Sequence, residues 1–380
     1  MLVPFFIVAV VAPLALQYVE DNSSWIGTEF WTLILANCAM FACLAVALNL
    51  AVGYAGLLNL GFIAFFGIGS YTYSLVASDQ IHQHLPLWAA LVVVVLVSLA
   101  FALLVGIPGL RLRGDYLAIF TLGFGLIMND IIVDLDRPPV LAGHQFGPDN
   151  LNLTGGSNGI HGVASFNLPT SVPLIGDIPH SRMYYWIFIG FLALSIFCML
   201  RWRHTRTGRA WLAVREDELA ARAMGVNTFK YRLLAFSLSA VMAGIVGMID
   251  AAFINNAFPG NFAVQQTVTV FIMMILGGLG SLPGAVLGAV GFTVPPYLLQ
   301  DFVSYKYLII AVVLIAVMVL RPEGLLGTVS VRPRKAFGGT TELLTAESAD
   351  DDADLSRAMD APDADVETAS GAIVASGDGP

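Results

Sequence analysis

Basic residues are concentrated in one short segment of this 380-residue chain. Eight of its eighteen Lys and Arg residues fall between residues 201 and 232, and the flanking segments carry almost no charge. Residues 209–224 are rich in Ala, Leu, Arg and Glu, which favours a helix starting near Thr207 and stopping at Gly225. A charged helix between apolar segments is suited to recognition of another molecule.

Two features of the predicted helix would serve recognition. Glu218 and Arg222 stand four residues apart and are predicted to pair on one face. Four residues at helical spacing would form a narrow apolar stripe: Trp211, Val214, Ala221 and Met224. Such a helix suits a groove on another protein, and it equally suits the surface of the lipid headgroups, which attract its arginines. The residues of this segment alone leave both interpretations open.

Polar side chains and glycines within apolar runs form a second group with chemical potential. Polar groups are costly in lipid and should face the protein interior, where a carboxylate would meet the ammonium group of an amino acid. Near the outer end of a helix, water would satisfy the same carboxylate. Irregular backbone near 53–61 and 277–284 would line a pathway, because unwound backbone survives at membrane depth only beside a cavity. The candidate pathway residues are Gly53, Gly56, Asn59, Gly61, Asn129, Asp130, Asp250, Gly277 and Gly280.

The alternative role for these glycines is helix packing, because small residues let helices approach closely in lipid. The packing candidates are Gly61, Gly67 and Gly69 in one apolar segment and Gly284, Gly288 and Gly291 in another.

The sequence predicts no catalytic, cofactor or metal site on this chain. None of the three lysines, Lys230, Lys306 and Lys335, follows a glycine as a phosphate-binding GxxxxGK[ST] loop requires. We find no Ser/His/Asp or paired-carboxylate arrangement, and the histidines of 136–182 lack metal-ligand spacing. We therefore expect the chain not to be an enzyme.

The elements that position these residues are predicted to be membrane helices. The chain is 57% hydrophobic and 12% charged, with a mean hydropathy of +0.78, which excludes ordinary soluble domains. Apolar runs of about 20 residues span a bilayer as helices, in which every backbone group finds a partner. The runs lie near 2–19, 30–52, 57–77, 86–107, 115–134, 184–200, 233–256, 265–281, 284–300 and 304–320. We predict an all-α polytopic membrane protein with about ten transmembrane helices, between eight and ten.

The distribution of positive charge predicts the orientation. Fourteen of the eighteen Lys and Arg residues lie in three stretches, 111–113, 201–232 and 321–335, which ten crossings put on one side. Positively charged loops stay in the cytoplasm, so both termini are predicted to be cytoplasmic. The Gly- and Pro-rich segment 136–182 then becomes an irregular extracytoplasmic loop, either a simple cover or a docking surface or lid.

The chain divides by composition into a transmembrane domain, 1–335, and a tail, 336–380. The tail has eleven Asp or Glu residues against one Arg and few large apolar groups. Such a segment cannot bury enough apolar surface to fold, and we expect a disordered, acidic, cytoplasmic tail.

Five motifs in order give the chain a family resemblance. They are GYAGLLNLGFIAFFGIGSY at 53–71, RLRGDYLAIFTL at 111–122, the segment at 206–225, GGLGSLPG at 277–284 and RPEGLLG at 321–327. Together they resemble the permeases of branched-chain amino-acid ABC importers, of the LivM type. The resemblance covers most of 30–327 and leaves out 136–182 and the tail.

The resemblance implies that the segment 201–232 is a cytoplasmic coupling loop. It is similar to the EAA element of ABC importers, a short helix that sits in a cleft of the ATP-hydrolysing subunit. The matching positions are Glu218, Ala220, Ala221 and Gly225. Leu219 interrupts the Glu-Ala-Ala run, and Gly225 comes seven residues after Glu218, so the fit is loose. We expect a coupling helix from Arg209 to Gly225, with Arg215 and Arg222 in rim contacts.

The resemblance further implies a multi-pass permease subunit of the cell membrane that imports Leu, Ile or Val. Its partners would be ATPase subunits carrying ATP and Mg, a second related permease or a copy of itself, an extracytoplasmic solute-binding protein and the lipid bilayer, without nucleic acid. Urea or a short amide as solute is an alternative within the family. A stand-alone ion-coupled secondary transporter is the alternative from another class, and it would need no docking helix.

Overall fold

Helices make up nearly all the regular structure in the computed structural model. It describes residues 28–78, 86–112, 114–136, 154–166 and 179–299, with short stretches between 140 and 177 and between 308 and 326. Within these ranges ten α-helices form: α1 Thr28–Asn49, α2 Phe62–Ala77, α3 Leu87–Gly109, α4 Asp115–Asp134, α5 His180–Arg203, α6 Arg206–Glu216, α7 Glu218–Ala223, α8 Thr228–Ile254, α9 Val264–Gly277 and α10 Leu282–Leu298.

Five described segments are long and apolar enough to cross a membrane. They are Glu29–Tyr54, Leu87–Gly109, Asp115–Asp134, His180–Arg203 and Thr228–Ile254, and three shorter apolar helices accompany them, α2, α9 and α10. The all-α membrane class is therefore confirmed. The predicted span 2–19, most of 304–320 and the tail 336–380 lie outside the described residues, so the count of ten stays a prediction.

One predicted span begins too early. The apolar run near 57–77 predicts a spanning helix that begins at about residue 57, but α2 starts at Phe62, and a π-helical turn, Leu50–Tyr54, extends α1. Residues 55–61 are irregular. Gly56 adopts a positive φ of 68°, and Gly61 packs so closely on the Thr121 carbonyl that a Cβ there would overlap it. Hydropathy carries no information on these backbone constraints.

Successive membrane helices run between two ends of the bundle. At the α6 end, Arg215 contacts Gly53 at the end of α1, and Gly53 lies against Gly280 between α9 and α10. At the far end, the Val163 N–H donates to the Asn255 carbonyl, the Asn255 side-chain amide donates to the Val163 carbonyl, and the Ala164 N–H donates to the Ala77 carbonyl. The helices α1 to α5 and α8 to α10 therefore alternate in direction, with α6 and α7 lying at one end.

The strands among the described residues are short. Three antiparallel pairs form: β1 Val140–Leu141 with β2 His144–Gln145, β3 Ile160–His161 with β6 Asn256–Ala257, and β4 Ser171–Val172 with β5 Gly176–Asp177. The described parts of the predicted irregular loop 136–182 thus contain two-residue strands. The β3–β6 pair ties this loop to the end of α8.

Close helix contacts are built on small residues, as the packing interpretation predicted. Gly69 on α2 lies against the Gly244 backbone of α8, and Gly288 on α10 lies against the Met273 carbonyl of α9. Gly291 has only one atom near its Cβ position, at 3.9 Å, so it makes no close helix contact. The glycines allow backbone to approach backbone without an intervening side chain.

Burial separates central from peripheral helices. Of the 18 most apolar consecutive residues in each segment, 78% are buried in Glu29–Tyr54 and 72% in α8, but only 33% in α3 and 33% in α4. Large apolar side chains on the peripheral helices are exposed, among them Trp88, Leu96, Leu104, Ile119, Ile127 and Phe197. A broad exposed apolar surface of this kind is suited to lipid.

Candidate functional site

The basic segment forms two helices where one was predicted. The side chain of Thr205, not Thr207, accepts from the Gly208 N–H at the start of α6. Asp217 then leaves the helical conformation, with φ −152° and ψ 113°, and its Oδ1 accepts from the N–H groups of Leu219 and Ala220 at 2.7 and 3.0 Å. An aspartate that caps the next helix competes with helix continuation. The predicted continuous helix at 209–224 is therefore wrong at Asp217.

The predicted stop at Gly225 is confirmed. Gly225 has φ +80°, its N–H donates to the Arg222 carbonyl at 2.9 Å, and the Val226 N–H donates to the Ala221 carbonyl at 3.0 Å. These two bonds form a Schellman motif, which satisfies carbonyls at a helix end. The six-residue helix α7 is thus capped at both ends.

An ionic network holds α7 against the start of α8. Glu218 pairs with Arg222, as predicted, and also with Arg232 at 2.9 Å. The Arg222 Nε donates to Thr228 Oγ1 at 2.9 Å, so the same network reaches the first turn of α8. Because the carboxylate faces two guanidinium groups, α7 has a fixed orientation relative to α8.

The predicted apolar stripe packs mostly on its own chain. Trp211, Val214 and Ala221 are buried, and the Trp211 indole Nε1 donates to the Tyr231 carbonyl at 2.8 Å. Met224 remains 84% exposed. Amphipathic periodicity identifies a buried face without revealing which molecule buries it. Three of the four stripe residues are therefore available neither to a partner groove nor to the lipid headgroups.

A different set of apolar side chains, on α7 and at its C-terminal end, faces outward. Leu219 is 70% exposed, and Ala220, Ala223 and Met224 are exposed beside it. We call these four residues the coupling patch. Of the positions matched to the EAA element, Ala220 belongs to this patch and Ala221 is buried behind it. Glu218 forms the ion pairs with Arg222 and Arg232, and Gly225 ends the helix.

The three arginines expected in this helix make contacts within the chain. Arg209 Nη1 donates to the His204 carbonyl at 3.2 Å, and Arg222 joins the Glu218 network. Arg215 turns away from the coupling patch, and its Nη1 donates to the Gly53 carbonyl. Rim contacts of Arg215 and Arg222 with a partner remain a prediction, but both guanidinium groups already have intramolecular partners.

The two irregular segments predicted to line a pathway meet each other. Asn49, completely buried at the end of α1, accepts from the Gly280 N–H at 2.9 Å and donates to the Ser281 carbonyl at 3.2 Å. A Cβ on Gly53 would lie 2.8 Å from the Gly280 nitrogen, which only a glycine avoids. Gly277 packs against Gly284 across the same turn. Asn49 is a polar residue within an apolar run of the sequence, but it is not among the candidate pathway residues.

The polar pathway candidates fall into different environments. Asn59 is 1% exposed, and neither its amide nitrogen nor its oxygen has a hydrogen-bond partner in the described structure. The Asn129 Oδ1 is likewise buried and unpartnered. Asp130 is exposed on α4, which agrees with the solvated alternative, whereas Asp250 is buried in the last turns of α8, where bulk water does not reach it readily. The structure therefore does not bring all four side chains into one environment.

An open groove lies outside the predicted pathway. It has a volume of approximately 620 Å³ and lies between α3, the end of α5, α6 and α8, with mainly apolar walls that include Leu103, Trp202 and Leu233. None of the candidate pathway residues lines it. Among the described residues no group of His, Cys, Asp or Glu is arranged to hold a metal ion.

Comparisons with known proteins identify relatives over most of the chain. Residues 31–318 match the family model described as branched-chain amino acid transport system / permease component. The chain is 34% identical over 305 residues to the high-affinity branched-chain amino acid transport system permease protein LivM of Salmonella typhimurium, covering 76% of this chain and 68% of that protein. It is 24% identical over 342 residues to the probable branched-chain amino acid transport permease protein LivM of Methanocaldococcus jannaschii, covering 78% and 92%.

A second kind of relative matches a shorter part. The permease protein LivH of the high-affinity branched-chain amino acid transport system of Salmonella typhimurium is 32% identical over 187 residues, covering 47% of this chain and 58% of that protein. No solved structure gives a significant match.

Proposed function

The chain belongs to the branched-chain amino acid transport system permease family, and we propose that it is the membrane-spanning subunit of an ABC importer for branched-chain amino acids. The observation that carries this proposal is the family match, which runs from α1 through α10. The five long apolar helices supply the membrane-spanning scaffold that a permease requires. The chain is a transport subunit and not an enzyme.

ATP hydrolysis belongs to partner subunits, which bring ATP and Mg. The coupling patch on α7 is their docking surface in this proposal. Leu219 and Met224 offer large exposed apolar groups, while Ala220 and Ala223 let another chain approach the helix backbone. The caps at Asp217 and Gly225 hold this short helix in shape before the partner binds, which lowers the ordering cost of association.

The other partners follow from the relatives. Similarity to LivH as well as to LivM supports pairing with a second, related permease. We place the α6 end of the bundle in the cytoplasm, because the basic residues cluster there. The far end then faces outward, and its β3–β6 pair and the described parts of 136–182 supply the surface for a solute-binding protein.

We assign the solute pathway to the irregular segments and the polar groups near them. Residues 55–61 and 278–281 lie outside the helices and most of them are buried in the protein, the setting in which non-helical backbone survives at membrane depth. Asn59 offers both a donor and an acceptor without a protein partner. Leu, Ile or Val would present an ammonium and a carboxylate group to such an amide while the side chain meets apolar walls.

The docking part of the proposal is tested with Ala223→Glu, which puts a charge into the coupling patch. The expected result is at least tenfold weaker association with the ATPase subunits, about 1.4 kcal/mol or more, because the charge would be buried without a partner. Association is measured with purified subunits in mild detergent. The matched control is Ala213→Glu, which alters an exposed alanine on α6 outside the patch. Equal affinity of the Ala223→Glu and Ala213→Glu variants for the ATPase subunits would show that α7 is not part of the docking surface.

A further inference from the structure

The Arg215 side chain joins α6 to the irregular backbone at the α6 end of the bundle. Arg215 lies in the last turn of α6, and its Nη1 donates to the carbonyl of Gly53 in the π-helical turn that ends the first helix. Carbonyls in the last turn of a helix lack helical partners and carry partial negative charge. A guanidinium group is therefore well placed there, both as a donor and as a cation.

Two glycines with positive φ leave room for this side chain. At Gly56, with φ +68°, an added Cβ would lie 3.2 Å from the Arg215 Cγ. At Gly280, with φ +81°, an added Cβ would lie 3.1 Å from the Arg215 Nη1. The arginine stem thus crosses one irregular segment, and its tip lies against the other.

Asn49 connects the same two segments from the membrane side. Its amide bridges the end of α1 to the backbone of Gly280 and Ser281, as described above. Arg215 and Asn49 therefore bind the turn after α1 and the turn between α9 and α10 into one hydrogen-bonded assembly. We call it the glycine junction, made of Asn49, Gly53, Gly56, Gly280 and Ser281.

The remainder of the α6–α7 element is fixed to α8. Trp211 on α6 donates to the Tyr231 carbonyl, and Glu218 on α7 pairs with Arg232. A force applied to the coupling patch would move α6, α7 and the first turns of α8 as one body. Arg215 extends from that body into the glycine junction.

We propose that Arg215 is the positioning residue that transmits movement of the docked α6–α7 element to the glycine junction, and through it to the solute pathway. This inference rests on the proposed function, because the movement originates in an ATPase bound to α7. Arginine suits this role because its planar group stays charged and offers several donors in a rigid fork. The positive-φ glycines supply backbone that can change conformation as the helices shift.

The test compares Arg215→Gln with the wild-type complex in proteoliposomes, in the presence of ATP, solute and the solute-binding protein. We expect the variant to retain its ATPase subunits and a hydrolysis rate within twofold of wild type, while solute imported per ATP hydrolysed falls at least tenfold. A residue needed only for folding would lower assembly and hydrolysis together. Arg206→Gln, at the exposed start of α6, is the control and should keep the wild-type ratio.

Arg215→Lys provides a second, milder variant if the glutamine variant fails to assemble. It keeps the charge and most of the stem but lacks the planar fork, so we expect at least a threefold lower ratio of import to hydrolysis. A wild-type ratio in any assembled Arg215 variant overturns this inference while leaving the ABC importer standing. A wild-type complex that neither holds ATPase subunits nor imports with ATP would overturn the proposed function instead.

Discussion

At the scale of single residues, the burial of the Asn59 side chain is energetically unfavourable. Its side chain is 1% exposed, and both of its polar atoms lack a hydrogen-bond partner in the described structure. A buried polar group left unsatisfied costs about 1–3 kcal/mol, and Asn59 leaves both an amide donor and a carbonyl acceptor unpaired. A solute passing the irregular segment 55–61 would provide the missing partners.

We therefore predict that Asn59→Leu separates stability from transport. Leucine has a similar volume and no polar atoms, so the apparent unfolding temperature in detergent should stay equal or rise. Leucine uptake should fall at least about tenfold, which corresponds to about 1.4 kcal/mol of lost interaction. Ser98→Ala is the control, because its hydroxyl is also buried and unpartnered but lies on α3 beside Gly244. Normal uptake by the Asn59 variant would show that Asn59 does not contribute to the solute pathway.

Residue spacing predicted some contacts and missed others. The Glu218–Arg222 pair and the stop at Gly225 depend on local geometry, which the sequence encodes directly. The contact between Arg215 and Gly53 joins residues 162 positions apart. Local sequence patterns cannot reveal contacts between residues so far apart. The sequence therefore predicted that Arg215 contacts a partner subunit and missed its contact with Gly53.

At the scale of secondary-structure elements, Asp217 divides the basic segment into two helices. We predict that Asp217→Ala destabilises α7 by about 1 kcal/mol, since the N–H groups of Leu219 and Ala220 lose their cap. Amide hydrogens at 218–223 should then exchange roughly fivefold faster. Asp217→Asn should behave like wild type, because asparagine caps equally well. Unchanged exchange in the alanine variant would show that α7 is held by the Glu218 network alone.

A second element-scale prediction concerns the crossing of α2 and α8. A Cβ at Gly69 would overlap the Gly244 carbonyl, so Gly69→Ala forces the helices apart. We expect a loss of about 1–3 kcal/mol, seen as a lower unfolding temperature in mild detergent. Gly123→Ala is the matched control, because nothing lies within 4 Å of its Cβ position and alanine favours the helix. Equal unfolding temperatures for the two variants would contradict close packing at Gly69.

At the scale of the whole molecule, the sequence was most informative about the membrane scaffold. Long apolar runs predicted the five spanning segments, and α4 has the predicted bounds, Asp115–Asp134. Such prediction succeeds because backbone groups in lipid must be paired within each helix. Hydropathy alone placed the start of α2 too early, because packed protein can support irregular backbone at 55–61 that lipid would not, whereas the glycines of 53–61 indicated irregular backbone there.

The whole molecule works, in our proposal, as the ATP-driven permease of a branched-chain amino-acid importer. The most direct measurement is uptake of labelled leucine into proteoliposomes that contain the purified complex, with ATP supplied on the side of α6 and α7. We predict uptake that requires ATP and the solute-binding protein and is competed by isoleucine and valine but not by urea. Leucine uptake by this chain alone, driven by an ion gradient without ATP, would contradict its role as an ATP-driven permease.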